Sequence, residues 1–348
     1  MPPRTNNLKP TPAQFRNQLP SKPANYWLYG SFSLILALCA VLVWALFNIT
    51  TLKDWYVLAT YHPPAVITQL AVDDGMTNYA RRLFYVNKPQ IENKSVFATN
   101  CTSSDVSAHV IGCYHSGDNG IFLLNVTDPR LNGIIEVTAA YEMLHAGYAR
   151  LNSTERNQLD QEMWQYYTQA NISTAIKQQM ASYAISEPGA RYDELYSVLG
   201  TEVNTLPASL ENHFKLYFND RAAIVRRYNG YEGSFTSIET AINTYSTELT
   251  SLRAQIDAQK SQLNSLLNSI NAEQSVLSNE KANAHFAIYN SGVAGYNDLV
   301  NQYNQLVNTV HSEITQYNQI VSASNALAIE DQQLVAAITS TPSQQITK

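Results

Sequence analysis

Three hydrophobic patterns follow one another along the chain. The first is continuous. Tyr26 to Phe47 reads YWLYGSFSLILALCAVLVWALF, without a single charge. As a helix it would measure ~33 Å at about 1.5 Å per residue, the thickness of a bilayer core. Tyr26, Trp27 and Trp44 stand near its ends, where aromatic belts belong. The second pattern is mixed. Within residues 51–90, ITQLAVDDGMTNYARRLFYVNKP places apolar residues at helical spacing and stops at a proline. HVIGCY and GIFLLNV, joined by a Gly/Asp/Asn turn, predict a β-hairpin. IIEVTAAYEMLHAGYARL predicts a helix from Ile134 to about Leu151, and Thr154 to Tyr183 continue helical. Pro188-Gly189 breaks the pattern, which resumes at Tyr192 and again from Leu210 to Tyr228.

The third pattern is a heptad seam. From Ile238, Ile242, Tyr245 and Leu249 to Ile270 and Leu277 the steps alternate four and three, interrupted by Gln259 and Glu273. The repeats YNDLVNQ, YNQLVNT, VHSEITQ and YNQIVSA form a second seam through Tyr296, Val300, Tyr303, Val307, Val310, Ile314, Tyr317 and Val321. Gly292 and Gly295 between them predict the turn of an antiparallel coiled-coil hairpin. Such an arm serves as a rigid spacer, a self-association element or a specific binding arm. The expected fold is mainly α with a small β-hairpin. Its segments are a tail over 1–25, a transmembrane helix over 26–48, a globular α+β domain over 51–232 and the helical hairpin over 235–338.

Charge fixes the orientation of the first segment. Arg4, Lys9, Arg16 and Lys22 precede it with no acid among residues 1–25. A basic flank stays in the cytoplasm, so the N-terminus is expected inside and the bulk of the chain outside. A cleaved signal peptide is the alternative, but the apolar run is long for that and no clear small-x-small site follows. Only 14% of residues are charged, against roughly 25% in an average soluble domain. The net charge of −6 leaves no electrostatic footprint for nucleic acid. Of the three cysteines, Cys39 lies in the apolar run, while Cys101 and Cys113 lie beyond it. In an oxidising compartment these two are expected to pair, closing a short loop worth on the order of 3 kcal/mol; two buried thiols are the other option. The Asn-x-Ser/Thr triplets at Asn93, Asn125 and Asn171 carry no inference in so polar a chain.

The candidate chemistry lies in residues 138–148, TAAYEMLHAGY. With histidine in place of Tyr141 this would be H-E-x-x-H, in which two imidazoles one helical turn apart bind Zn²⁺ and the glutamate takes a proton from the bound water. Here Glu142 and His145 are present and Tyr141 is the departure. A phenol with a pKa near 10 is neutral at ambient pH and must ionise to ligate. By itself E-x-x-H is a poor signal. His109 and His115, flanking GCY, are weak candidates, and His213, His285 and His311 read as solvated helix residues. Asp220 and Arg221 read as a structural ion pair. No nucleophile elbow, P-loop or dinucleotide fingerprint occurs.

The surroundings add to this. TAAYEMLHAGYARL resembles the helix of a family of membrane-anchored, extracytoplasmic, zincin-like bacterial proteins that carry H-E-M-L-H-A. DGMTNYARRLFYVNKPQI, the Cys101…GCY cysteines, VTDPR, ELYSVLGTEVNTLPASLENHFKLYFNDRAAIV and the YNxLV hairpin share the likeness, which covers roughly residues 51–338. The resemblance implies a gluzincin-type site with Glu142 as general base and His145 and Glu202 as ligands. Tyr141 then occupies a substituted ligand position, and Tyr196 is a possible second departure. It also implies a zincin-like edge strand above the helix, for which GIFLLNV is the candidate, able to pair with an extended peptide; an ordinary covering hairpin is the alternative. The expected function is a pseudopeptidase of the cell surface that needs no metal and acts by scaffolding or by binding a peptide or protein partner. An active zinc metallopeptidase with altered coordination and a structural envelope protein are the alternatives.

Overall fold

The computed structural model describes Met1 and residues 26–101, 110–116, 120–186 and 188–340. His109 and the basic tail residues lie outside them. The chain divides into two compact units, Met1–Ala59 and Thr60–Lys348. The first contains α1 (Tyr26–Phe47) and most of α2 (Ile49–Thr60). From Phe32 to Phe47 the large apolar side chains of α1 are almost all exposed. No single helix among the described residues is long and apolar enough to cross a membrane. Phe32–Phe47 and Ile49–Thr60, bent by 77°, pass that test only as a pair.

The second unit is mainly helical with a small sheet. Its elements begin with α3 (Ala65–Asp73), α4 (Asn78–Val86), β1 (Gln90–Glu92), α5 (Lys94–Asn100), β2 (Gly112–His115) and β3 (Gly120–Leu124). A 3₁₀ turn (Pro129–Leu131) leads to α6 (Ile134–Arg150), α7 (Ser153–Gln169), α8 (Thr174–Ser186), α9 (Arg191–Thr201), α10 (Ala208–Phe214), α11 (Arg221–Ala282) and α12 (Phe286–Ile338). Caps explain several boundaries. Thr77 accepts a hydrogen bond from the Ala80 amide, and Asn152 forms a capping box with Glu155 at the start of α7. The run expected as one helix from Thr154 to Tyr183 is thus two, parted at Ala170–Ser173. Likewise Leu210–Tyr228 is divided at Lys215–Asp220, where the Asp220 side chain caps α11 by accepting from Ala223.

The core is built around α6. It is buried on nearly every side, from Ile134 through Ala139, Met143 and Leu144 to Tyr148, as befits a central helix rather than an amphipathic surface one. It packs on α9, whose Leu195, Tyr196, Val198 and Leu199 are fully buried. The sheet order is β1-β3-β2, with β3 parallel to β1 and antiparallel to β2. The expected hairpin therefore gains a third strand. GIFLLNV, read as an edge, supplies the central strand, and β2 is a free edge among the described residues. Cys101 and Cys113 are joined as a disulfide, with Cα atoms 5.9 Å apart, fastening the end of α5 to β2.

α11 and α12 form a long antiparallel hairpin. α11 starts at Arg221 rather than near residue 235, so its first turns belong to the core (Ile224, Val225, Tyr231) and the rest to the arm. The turn lies at Asn283–His285, with Ala284 at φ 61°, not at Gly292 and Gly295. Gly292 is helical, and a Cβ there would come within 2.8 Å of Leu277 Cδ2; it is a contact point between the arms, not a breaker. The α11 seam has the expected residues. On α12 every second seam position shifts by one. Leu306 and Ile320 turn inward, while Val307 and Ile314 are exposed. Gln259 faces Glu313 across the seam and donates to it at 2.8 Å. At the base, Arg130 pairs with Glu330 at 3.3 Å, and Leu334 and Ile338 join the core beside Ile238.

Candidate functional site

α6 turns Tyr141, Glu142 and His145 toward a cavity of about 550 Å³. The i, i+1, i+4 spacing brings the first and last onto one face, with ring centroids 5.0 Å apart. β2 forms one rim. α8 contributes Gln179 and Tyr183, α9 contributes Asp193 and Glu194, and α11 contributes Tyr228, Tyr231 and Glu232. β2 lies directly on α6. A Cβ at Gly112 would stand 2.5 Å from Thr138 Cγ2 and 2.6 Å from Glu142 Oε1. Glycine is what allows the strand so close to the Glu142 carboxylate.

The polar groups are tied to one another. The Tyr141 hydroxyl donates to Glu194 Oε2 at 2.6 Å and lies 3.3 Å from the Tyr183 hydroxyl. His145 Nδ1 is 2.7 Å from Asp193 Oδ1, and its Nε2 is 3.7 Å from Glu194 Oε1. Burial alone would lower the His145 pKa. The hydrogen bond that the ring donates to Asp193 and the charges of Glu194, Asp193 and Glu142 outweigh it and push the imidazole up to about 10. Burial, with Tyr183 and Glu194 beside it, raises the Tyr141 phenol well above its usual value. The pair is therefore a cationic imidazolium and a neutral phenol, both directed at carboxylates of α9.

Neither Asp193 nor Glu194 stood out in the sequence. Two acids in the first turn of a helix normally only complement its dipole. The residues singled out by resemblance fare differently. Glu202, at the end of α9, lines the same cavity but accepts from Gln179 at 3.2 Å; the carboxylates that reach His145 are Asp193 and, at longer range, Glu194. Tyr196 is fully buried in the core, its hydroxyl 2.7 Å from His213 Nε2, and so takes no part in the cavity. His213 is correspondingly half-buried rather than solvated. His115 lies at the rim, 2.8 Å from the Asn100 carbonyl. Asp220 pairs with Arg226 and Arg221 with Glu211, not with each other.

A zinc site on such a helix needs three or four converging donors. Among the described residues, the one place where three His, Cys, Asp or Glu donors converge is Cys101, Cys113 and His115, whose sulfurs are spent in the disulfide. Around His145 no such set forms. The group in the first ligand position, Tyr141, keeps its proton and donates it in a hydrogen bond to Glu194. As placed, the described residues around His145 do not present a three-donor zinc site.

Two raised pKa values set a pH dependence of stability. Burial lifts the Glu202 carboxyl to about 8 from an ordinary 4.5. Its contribution is complete below about 4.5 and is lost as pH rises through 8. That of His145 is complete below about 6.5 and is lost as pH rises through 10. The full chain is therefore expected to melt at progressively lower temperature from pH 6 to pH 10. Glu202→Gln should flatten the lower part of that slope and His145→Gln the upper part, as thermal denaturation at fixed ionic strength would show.

The chain matches no protein family, no curated protein and no solved structure.

Proposed function

We propose that this protein is a pseudopeptidase, a zincin-like body whose metal chemistry has lapsed, anchored in the cell membrane and acting outside the cytoplasm by binding a peptide or protein partner. The observation that carries the reading is the hydrogen bond from Tyr141 to Glu194. It puts a neutral donor where hydrolysis would need a ligand, and it engages a carboxylate that could otherwise turn to a metal. The binding role is supported by the edge strand β2 running beside the cavity, since a free strand edge can pair with an extended chain. The anchor is supported by the uncharged sequence of α1 and by its exposed apolar side chains. The basic flank then sets the N-terminus in the cytoplasm. The long hairpin serves as a rigid arm, with self-association one use for its wet outer face.

Zinc content decides this reading. The full chain, purified in detergent and dialysed against zinc-buffered solution, is expected to retain far less than one zinc per molecule. Tyr141→His, which restores the second imidazole beside His145 and Glu194, is expected to retain close to one. Near-stoichiometric zinc in the native chain would overturn the proposal in favour of an active metallopeptidase. Failure of both proteins to hold zinc would remove the zincin-like ancestry and leave a structural envelope protein.

A further inference from the structure

We infer that the part of the cavity around Glu202 is a subsite for an ammonium group carried by a peptide. The inference deepens the proposed peptide-binding reading and rests on it. It starts from an orphaned atom. Glu202 is 6% exposed and lines the cavity. Its Oε1 accepts from Gln179 at 3.2 Å, the Tyr228 hydroxyl stands beside the carboxyl, and its Oε2 has no hydrogen-bond partner within 3.5 Å among the described residues. Buried carboxylate oxygens are ordinarily satisfied, so an unsatisfied one on a residue that lines a cavity marks a place for a donor that arrives from outside.

The surroundings define that donor. Glu232 brings a second carboxylate from α11, one turn beyond Tyr228. Among the described residues the one cation of the cavity wall, His145, is engaged with Asp193 and Glu194 instead. The subsite thus holds two carboxyl groups with no built-in counter-charge among the described residues, and an arriving ammonium would draw Glu202 into its ionised form. Its other walls are Tyr183, Tyr228 and Tyr231, the last two with ring centroids 5.5 Å apart. Carboxylates combined with aromatic faces suit an alkylammonium, which is held by charge, by hydrogen bonds and by cation–π attraction at once. A divalent metal is a poorer match, because among the described residues no three carboxylate or imidazole donors of this cavity converge within chelating distance. β2 rims the same cavity, so a strand paired along it could place a side chain or an N-terminus at Glu202.

The test uses the full chain in detergent and three tripeptide probes followed by isothermal titration. Acetyl-Ala-Lys-Ala-amide offers a side-chain ammonium, Ala-Ala-Ala-amide offers an α-ammonium, and acetyl-Ala-norleucine-Ala-amide is the neutral control. At least one charged probe is expected to bind ten-fold or more tightly than the control, and which one does so identifies the source of the ammonium. Glu202→Gln is expected to erase that preference, and Glu232→Gln to reduce it several-fold, with unchanged circular dichroism in both. Equal binding of all three probes, no detectable binding of any, or an unaltered preference in Glu202→Gln would each overturn the subsite. So would calcium ion binding that displaces the charged probes. If Glu202→Gln fails to fold, Glu232→Gln and the probe comparison decide alone. Zinc content does not enter these readouts, so this inference can fail while the pseudopeptidase reading stands, and the reverse.

Discussion

Arg221→Met is expected to destabilise the second unit by about 3–5 kcal/mol. Arg221 is 6% exposed and spends its whole guanidinium on the chain around it. Nη1 donates to the carbonyls of Leu199 (3.2 Å) and Val203 (2.7 Å), Nη2 donates to Asn204 (3.1 Å), and Nε pairs with Glu211 at 3.1 Å. Those carbonyls belong to the end of α9 and the loop after it, so one side chain at the head of α11 fixes the segment that carries Glu202. Removing it leaves three carbonyls without their donor. Each costs about 1–3 kcal/mol when buried, less than additively, and Glu211 is exposed enough for water to take over its charge. Arg221→Lys should recover only part of the loss, because an ammonium cannot reproduce the planar fork. Urea unfolding of the full chain in detergent, followed by circular dichroism, measures both, and a loss below 1 kcal/mol for Arg221→Met would contradict this account.

Glycines in this protein should answer substitution with opposite signs. A Cβ at Gly200 on α9 would stand 2.3 Å from Leu144 Cδ1 and 2.9 Å from Phe214 Cε1. Both neighbours are fully buried. Gly200 thus lets α9 lie close against Leu144 of α6, and Gly200→Val should cost about 3 kcal/mol through overpacking. It should also part Tyr141 from Glu194, since α6 and α9 carry the two ends of that hydrogen bond. Gly230 on α11 is the counterexample. Nothing lies within 4 Å of a Cβ built there, so Gly230→Ala should gain up to about 1 kcal/mol from helix propensity alone. Thermal melts of the two variants should move in opposite directions; a shared direction would mean that the α6–α9 contact is looser than described.

Much of this architecture was legible in the sequence, and the misreadings have physical reasons. The helix of Tyr141, Glu142 and His145 could be read because helical spacing alone puts the first and third on one face. Its partner carboxylate could not. Spacing along a chain says nothing about which acid of a second helix returns to the first, and Glu194 is separated from Glu202 by only two turns of the same helix. β1 is three residues long, too short to show alternation, so the strand it pairs with looked like an edge. In the hairpin, Leu306-Val307 and Gln319-Ile320-Val321 offer adjacent apolar or neutral residues, and a seven-residue repeat cannot tell which of two neighbours faces inward. Gly292 looked like a turn because glycine breaks isolated helices. In a paired helix the same missing side chain makes room for Leu277.

The seam gives the arm a graduated reach. Beyond Ile238 the two helices run together for about 65 Å at 1.5 Å per residue, locked in step at one level by Gln259 and Glu313. Lengthening one strand of the arm alone would set that amide against a hydrocarbon layer and strand the acid. Matched heptads added to both strands restore every pairing and lift the tip by about 10 Å. The hairpin is therefore a ruler with a fixed division, and its length can be reset over evolutionary time in whole increments while the cavity at its foot stays as it is.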